Sequence, residues 1–309
     1  MLSQLPLNVK KKLDTVFHIF FFSMGLVTIL VTFLIVLALV LDAVKFFLHE
    51  EAGGFPKSLI RFFTETQWTP TFYDKQIGIL PLLNGTFMIA FIAGLISIPM
   101  GLLVAAYLSE FASFKTREFI KPLLDFMEAV PTVVYGYFAL LVVTPALQRL
   151  FSYFGIEMEG MNALSPGIVL GFMILPFTAS MVEDAFKGVP AYLREASYAL
   201  GADKVTTFLK VVLPAAKSGV LSAYLLGISR ALGETMVVAV AAGMYPNLTL
   251  NPLEPIQTIT GYIVQVALGD LPFNSFEYLS IFAAGISLFV ITLIFNLLAV
   301  HFKSKVKGY

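Results

Sequence analysis

Six long apolar runs are the feature of this sequence that most limits what the chain can fold into. Crossing the roughly 30 Å hydrocarbon core of a bilayer takes about 20 helical residues. The runs reach about that length and lack strict alternation, so they predict helices rather than barrel strands. The sequence therefore predicts an all-α polytopic membrane protein with six transmembrane helices. The predicted spans cover residues of about 15–41, 81–108, 129–147, 166–182, 220–242 and 279–302.

Composition supports a membrane location and narrows the chemistry. Only 13% of the residues are charged, against about a quarter in ordinary soluble domains. The chain has no cysteine, which excludes disulfides, thiolate metal sites and a cysteine nucleophile. Its three histidines are far apart, and no zinc-protease or serine-hydrolase motif occurs. We therefore expect no catalytic residues and no bound metal.

Basic residues predict the orientation of the helices. Lys10, Lys11 and Lys12 precede the first run, which is too long for a signal peptide and is predicted to be retained. Further basic residues lie in segments 115–121, 187–217 and 303–307. Under the positive-inside rule these four segments and both termini are cytoplasmic. The predicted organisation is a tail, first helix and long external loop over 1–79, a five-helix core over 80–302, and a basic cytoplasmic tail over 303–309.

The segment between the fourth and fifth runs predicts a helix–turn–helix outside the bilayer. Pro190 suits a helix start, and no helix breaker follows before Gly201, which suits a left-handed C-terminal cap. Asp203 can begin a second short helix, which Leu213-Pro214 is expected to end. An ordinary amphipathic loop helix remains an alternative interpretation.

Two charged residues lie within the fifth apolar run. Charges at the centre of a membrane helix usually face a watery path or a partner, and Arg230 and Glu234 are four residues apart on one predicted helix face. The guanidinium group suits phosphate and other oxyanions. We expect Arg230 to line a translocation path and Glu234 to hold it; a structural ion pair between helices is the alternative.

Prolines and acidic residues mark a second candidate region. Pro99, Pro131 and Pro176 predict kinks in the second, third and fourth helices. Asp125 and Glu128 precede Pro131, where they form a possible gate or pair with Lys121 at the membrane surface. In the last loop, apolar spacing over 259–266 predicts a short amphipathic helix at the outer mouth, as a docking site or a lid.

Several motifs resemble those of a known transporter family. The spacing of Glu195-Ala196-Ser197, Gly201 and Leu213-Pro214 resembles the coupling motif of type I ABC importer permeases. The stretches RALGETM at 230–236 and EAVPTVVYG at 128–136 look like the C-type permease of the phosphate-specific transport system. Thr132 replaces a usual serine there.

The resemblance implies a function and a set of partners. It implies a permease subunit for inorganic phosphate, with an A-type permease, two ABC ATPase copies and an external phosphate-binding protein as partners. ATP would be used by the ATPase, since this chain has no phosphate-binding P-loop. The coupling helix, at about 190–204, would dock on that ATPase. We expect no nucleic-acid partner. Sulfate or molybdate permeases, and a secondary transporter, are the alternatives.

Overall fold

The computed structural model describes residues 7–304, which form a helical bundle without named strands in that range. Short loops or wide π-helical turns separate many of the consecutive helices. The helices of the described residues are α1 (Leu7–Leu48), α2 (Lys57–Thr64), α3 (Leu80–Ala106), α4 (Phe114–Ala129), α5 (Thr132–Phe138), α6 (Thr144–Ser152), α7 (Leu164–Lys187), α8 (Ala191–Ala199), α9 (Lys204–Thr207), α10 (Leu213–Leu232), α11 (Met236–Ala241), α12 (Ile259–Ala267) and α13 (Phe276–Ser304).

Six stretches of these helices are long and apolar enough to cross a membrane, which confirms the predicted fold class. Each overlaps one predicted run. The predicted tail over 303–309 lies outside the described residues from 305 onward. The stretches are Leu13–Leu48, Leu80–Phe111, Thr132–Ser152, Leu164–Lys187, Lys204–Leu232 and Phe276–Lys303.

The fifth span differs most from its prediction. It begins at α9, continues through a π-helical turn over Phe208–Val212 and ends with α10 at Leu232. The expectation that Leu213-Pro214 ends a helix is wrong, because α10 begins there and Pro214 lies in its first turn. A proline costs little at that position, since its missing N–H would have no partner within an α-helical start. Residues 233–235 then separate α10 from the short α11.

The centre of the bundle is built around α3 and α7. Small residues let these helices approach closely: a Cβ atom at Gly171 would lie 2.8 Å from Ile96. Helix α10 packs against α7 and α13, and α1 packs against α13. Pro99 and Pro176 lie inside α3 and α7, whereas Pro131 lies between α4 and α5 as the N-cap of α5.

A second core lies at the end of the bundle that carries α2 and α12. Trp68 is buried, and its ring meets Tyr262 of α12 edge-on at 5.1 Å. The prediction of a short helix over 259–266 is confirmed by α12. Its apolar side is buried, so α12 is an integral part of the bundle rather than a mobile cover on it.

Candidate functional site

Arg230 lies in the last turn of α10 and pairs with a residue that the sequence did not connect to it. Its Nη1 atom lies 2.6 Å from Oε1 of Glu128, which is in the last turn of α4. The Arg230 guanidinium also lies over the ring of Phe177, 4.9 Å from the ring centre. Both charged side chains keep more than a third of their surface exposed, at 35% for Arg230 and 38% for Glu128. A cation there also complements the negative end of the α10 dipole.

Glu234 does not hold Arg230, which corrects the predicted pairing. The helix ends between the two residues, so their four-residue spacing does not place them on one helix face. The Glu234 carboxylate instead accepts hydrogen bonds from the backbone N–H groups of Met236 (3.1 Å) and Val237 (3.3 Å). It therefore caps the N-terminus of α11, where unpaired amides favour an anionic acceptor. The Glu234 carbonyl accepts a bond from the Thr260 hydroxyl at 2.6 Å, which joins α11 to α12.

The predicted surface pairing of Glu128 and Asp125 with Lys121 is also wrong for Glu128. Phe177, which contacts Arg230, is near the middle of α7, so the Glu128–Arg230 pair lies inside the bundle rather than at its end. Lys121 binds Glu183 of α7 instead, at 3.1 Å. Helix α4 therefore runs from the α8 end of the bundle to the middle, and Pro131 marks its junction with α5.

The predicted helix–turn–helix is present as α8 and α9. Pro190 is the N-cap of α8, and Gly201 takes the left-handed conformation at φ +82°. The Asp203 carboxylate caps α9, accepting bonds from the Thr206 hydroxyl and N–H; both hold the pKa of Asp203 below its ordinary value. Ser197 is buried, and its hydroxyl lies 2.9 Å from that of Thr207, which fixes the angle between α8 and α9.

Glu195 and Ala196 are exposed on the outer side of α8. Three large apolar side chains near them, on α8 and at its C-terminal end, are also exposed. Such a patch is unusual on an isolated surface and is typical of a protein contact. These side chains are Tyr192, Tyr198 and Leu200; Val205 and Leu209 are exposed as well but belong to the fifth spanning stretch, which begins at Lys204.

Arg194 fastens the inner side of α8 to the bundle. Its guanidinium binds the Glu110 carboxylate with contacts of 2.7, 3.2 and 3.3 Å. It also donates to the carbonyl oxygens of Phe186 and Val189, both at 2.8 Å. This pair could not be predicted from sequence spacing, because the partners are 84 residues apart.

A second ionic cluster lies nearby, and it was not predicted from the sequence either. Glu183 of α7 is buried, with a side chain that is 3% exposed, and three cations surround it. Lys187 lies 2.7 Å away, Lys121 3.1 Å and Arg117 3.8 Å. The four-residue spacing of Glu183 and Lys187 on one helix was the only available sequence signal. A buried carboxylate needs such partners, so the cluster holds α4 against α7.

Comparisons with known proteins place these features in a family. Residues 97–308 match the family model described as "Binding-protein-dependent transport system inner membrane component". The chain is 33% identical over 250 residues to the "Probable ABC transporter permease protein YqgH" of Bacillus subtilis, covering 81% of this chain and 79% of that protein. It is 33% identical over 219 residues to the "Phosphate transport system permease protein PstC" of Xylella fastidiosa, covering 66% and 67%.

The fold has solved counterparts. A chain of a bacterial alginate ABC transporter, solved in complex with an alginate pentasaccharide-bound periplasmic protein, has a TM-score of 0.63 at 16% identity. The match covers 96% of this chain and 97% of that one. At this identity the likeness concerns the fold alone. Together with the family match and the six spans, it shows that the chain is a multi-pass inner-membrane protein of the binding-protein-dependent transport family, an ABC importer permease subunit and not an enzyme.

Proposed function

We propose that this chain is a permease subunit of an ATP-driven importer of inorganic phosphate. The observation that carries the proposal is the Arg230 guanidinium inside the bundle, on a side chain that is 35% exposed. A fork of donors at that depth suits a tetrahedral oxyanion, and it is costly to place there without such a role. The phosphate permease named among the relatives supports this substrate.

Glu128 and Arg230 would form the restricting point of the path. The carboxylate neutralises Arg230 when no anion is present and competes with an arriving anion for the same donors. Pro131 separates α4 from α5 directly after this pair and would let α4 move as a unit. Asp125, one turn earlier on α4, would add negative charge beside the exit. Glu234 would act indirectly, by holding α11 in place.

Coupling to ATP hydrolysis would occur through α8. In this proposal Glu195 and Ala196 face a partner ATPase and Ser197 and Gly201 shape the helix pair. Leu213-Pro214 begins α10 within the spanning stretch that follows. The exposed apolar side chains of α8 would supply the contact surface that this docking requires. Two ATPase copies, an A-type permease and an external phosphate-binding protein would complete the importer, with residues 80–302 as its transporting core and residues 1–79 outside it. The α8 end would then be cytoplasmic.

Another oxyanion is the main alternative, because the Bacillus subtilis relative is named only as an ABC transporter permease. Sulfate and molybdate share the tetrahedral shape that suits Arg230.

The test is phosphate uptake, with sulfate uptake as the control, in cells that lack only this gene. We expect phosphate uptake to fall, to return with the intact gene and to stay low with Arg230→Ala. Arg149→Ala is the matched control, because Arg149 is an exposed arginine in the last turn of α6. Assembly of each variant is scored by co-purification of the ATPase. Unchanged phosphate uptake with sulfate uptake lost would contradict the phosphate assignment.

A further inference from the structure

Two arginines from different helices bind the π-helical turn at the end of α3. This turn covers Tyr107–Phe111. Arg194 of α8 binds its only carboxylate, Glu110, while Arg117 of α4 binds its backbone at the Leu108 carbonyl with Nε at 3.1 Å. Wide turns of this kind leave carbonyl groups without regular helical partners, which makes them available to side chains. The turn is therefore a joint between α8 and α4.

The contact between Arg194 and Glu110 is well enclosed. The side chains of Arg194 and Glu110 are 18% and 12% exposed, and the carboxylate accepts hydrogen bonds from both Nε and Nη2 of the guanidinium. Enclosed bidentate pairs of this type fix both distance and angle. A shift of α8 would therefore move Glu110 and the turn that carries it, rather than being absorbed by a loose surface contact.

From this joint, α4 leads to the proposed path. Helix α4 begins at Phe114, three residues after the turn, and its 16 residues carry Arg117 near one end and Glu128 near the other. At the usual rise this is about 24 Å of helix. The ion pair of Glu128 with Arg230 is at its far end.

We propose that Glu110 is the positioning residue through which α8 sets the position of α4, and hence the contact between Glu128 and Arg230. The inference rests on the proposed function of α8 as the ATPase contact. Glu110 does not touch the transported anion; it acts through Arg194 on one side and through the turn on the other. Loss of its carboxylate separates α8 from α3 and α4, while Arg194 keeps its bonds to the carbonyl groups at the end of α7.

The experiment uses the complete importer in proteoliposomes and measures phosphate moved per ATP hydrolysed. Glu110→Ala and the milder Glu110→Gln are compared with the unmodified complex. The control is Glu65→Gln, since Arg61 and Glu65 form a pair of 2.6 Å at the other end of the bundle, although their side chains are more exposed, at 32% and 25%. Coupling between sites is typically 5- to 150-fold, so we expect the ratio to fall at least about fivefold in the Glu110 variants. The control should keep its ratio.

A second readout follows α4 directly and does not depend on the anion. Because the chain has no cysteine, Leu123→Cys on α4 and Leu221→Cys on α10 can carry spin labels at exposed positions. The partner subunits are used as cysteine-free variants. We expect ATP binding to change the distance between the labels in the unmodified and Glu65→Gln complexes and not in the Glu110 variants.

The outcomes separate this inference from the assignment of the substrate. An unchanged ratio and an unchanged ATP-dependent distance in Glu110→Gln, or in Glu110→Ala if it assembles, would overturn the role of Glu110. An unmodified complex that moves no phosphate, yet shows the ATP-dependent distance change that Glu110→Gln abolishes, would refute only the phosphate assignment.

Discussion

Glu128→Gln gives the sharpest test of how the proposed path handles its anion. The substitution keeps the shape of the side chain and removes the charge that lies 2.6 Å from Arg230. Because both partners are more than a third exposed, solvent screens the pair, and its loss should cost about 0.2–1 kcal/mol of stability. The variant should therefore fold and assemble, so that its effect on transport can be measured.

The same energy sets the expected change in anion binding. An anion that binds Arg230 must displace Glu128, so removing the carboxylate should tighten phosphate binding by about 1.4- to 5-fold. Turnover should fall, because a more tightly held anion leaves more slowly. Equilibrium binding of labelled phosphate to the purified complex measures the first effect, and single-turnover transport in proteoliposomes measures the second.

Glu234→Gln is the matched control, since Glu234 bonds backbone amides of α11 and not Arg230. We expect its phosphate affinity to be unchanged. The reasoning is refuted if Glu234→Gln tightens phosphate binding while Glu128→Gln does not.

Local backbone geometry and hydrogen bonding at Gly201, Gly136 and Asp203 allow three more tests. Gly201→Ala should cost about 1–2 kcal/mol in thermal unfolding, because its φ of +82° disfavours a Cβ atom, and Gly201→Asn should cost less; equal losses would contradict this. Gly136→Ala should destabilise the contact of α5 with α11 by about 1–3 kcal/mol, because the new Cβ would lie 3.0 Å from Cβ of Val240. An unfolding temperature equal to that of the unmodified protein would show that the two helices can move apart without a loss of stability. The pKa of Asp203 is lowered by its bonds to Thr206, so its carboxylate stabilises the fold above the ordinary aspartate range and loses this effect as pH falls through the lowered value. The difference in unfolding temperature from Asp203→Asn should shrink over that interval, and a constant difference would contradict the assignment.

Length and hydropathy were sufficient to predict the number of spanning helices but not every boundary. Residues 220–242 are continuously apolar apart from a few positions, so a hydropathy pattern treats them as one helix. The helix ends at Leu232 because residues 233–235 form a break with tertiary support, including the bond from Thr260 to the Glu234 carbonyl. Gly233 was the local signal that could have indicated the break.

The partners in the ion pairs could not be predicted from the sequence, although the helix caps could. Local chemistry predicted the caps at Gly201 and Asp203, because a cap depends on neighbours in the chain. The partner of Arg230 is 102 residues away and that of Arg194 is 84 residues away. Spacing within one helix suggested Glu234 instead, and only the packing of both α4 and α10 against α7 reveals the actual counter-ion.

The length of α1 has a consequence for the lipid that surrounds the protein. The part of α1 between its charged residues Asp14 and Asp42 has 27 residues and extends about 40 Å as a helix. A tilt of about 40° matches about 39 Å of helix to a bilayer core of roughly 30 Å, so this segment fits such a core only when it is strongly tilted. The most apolar window of this stretch has no buried side chain, so it faces lipid, whereas Ala43 and Phe46 beyond it are buried in the protein. A thicker bilayer would reduce this hydrophobic mismatch, and the acyl-chain length of the host membrane should therefore govern how steeply α1 leans away from the bundle.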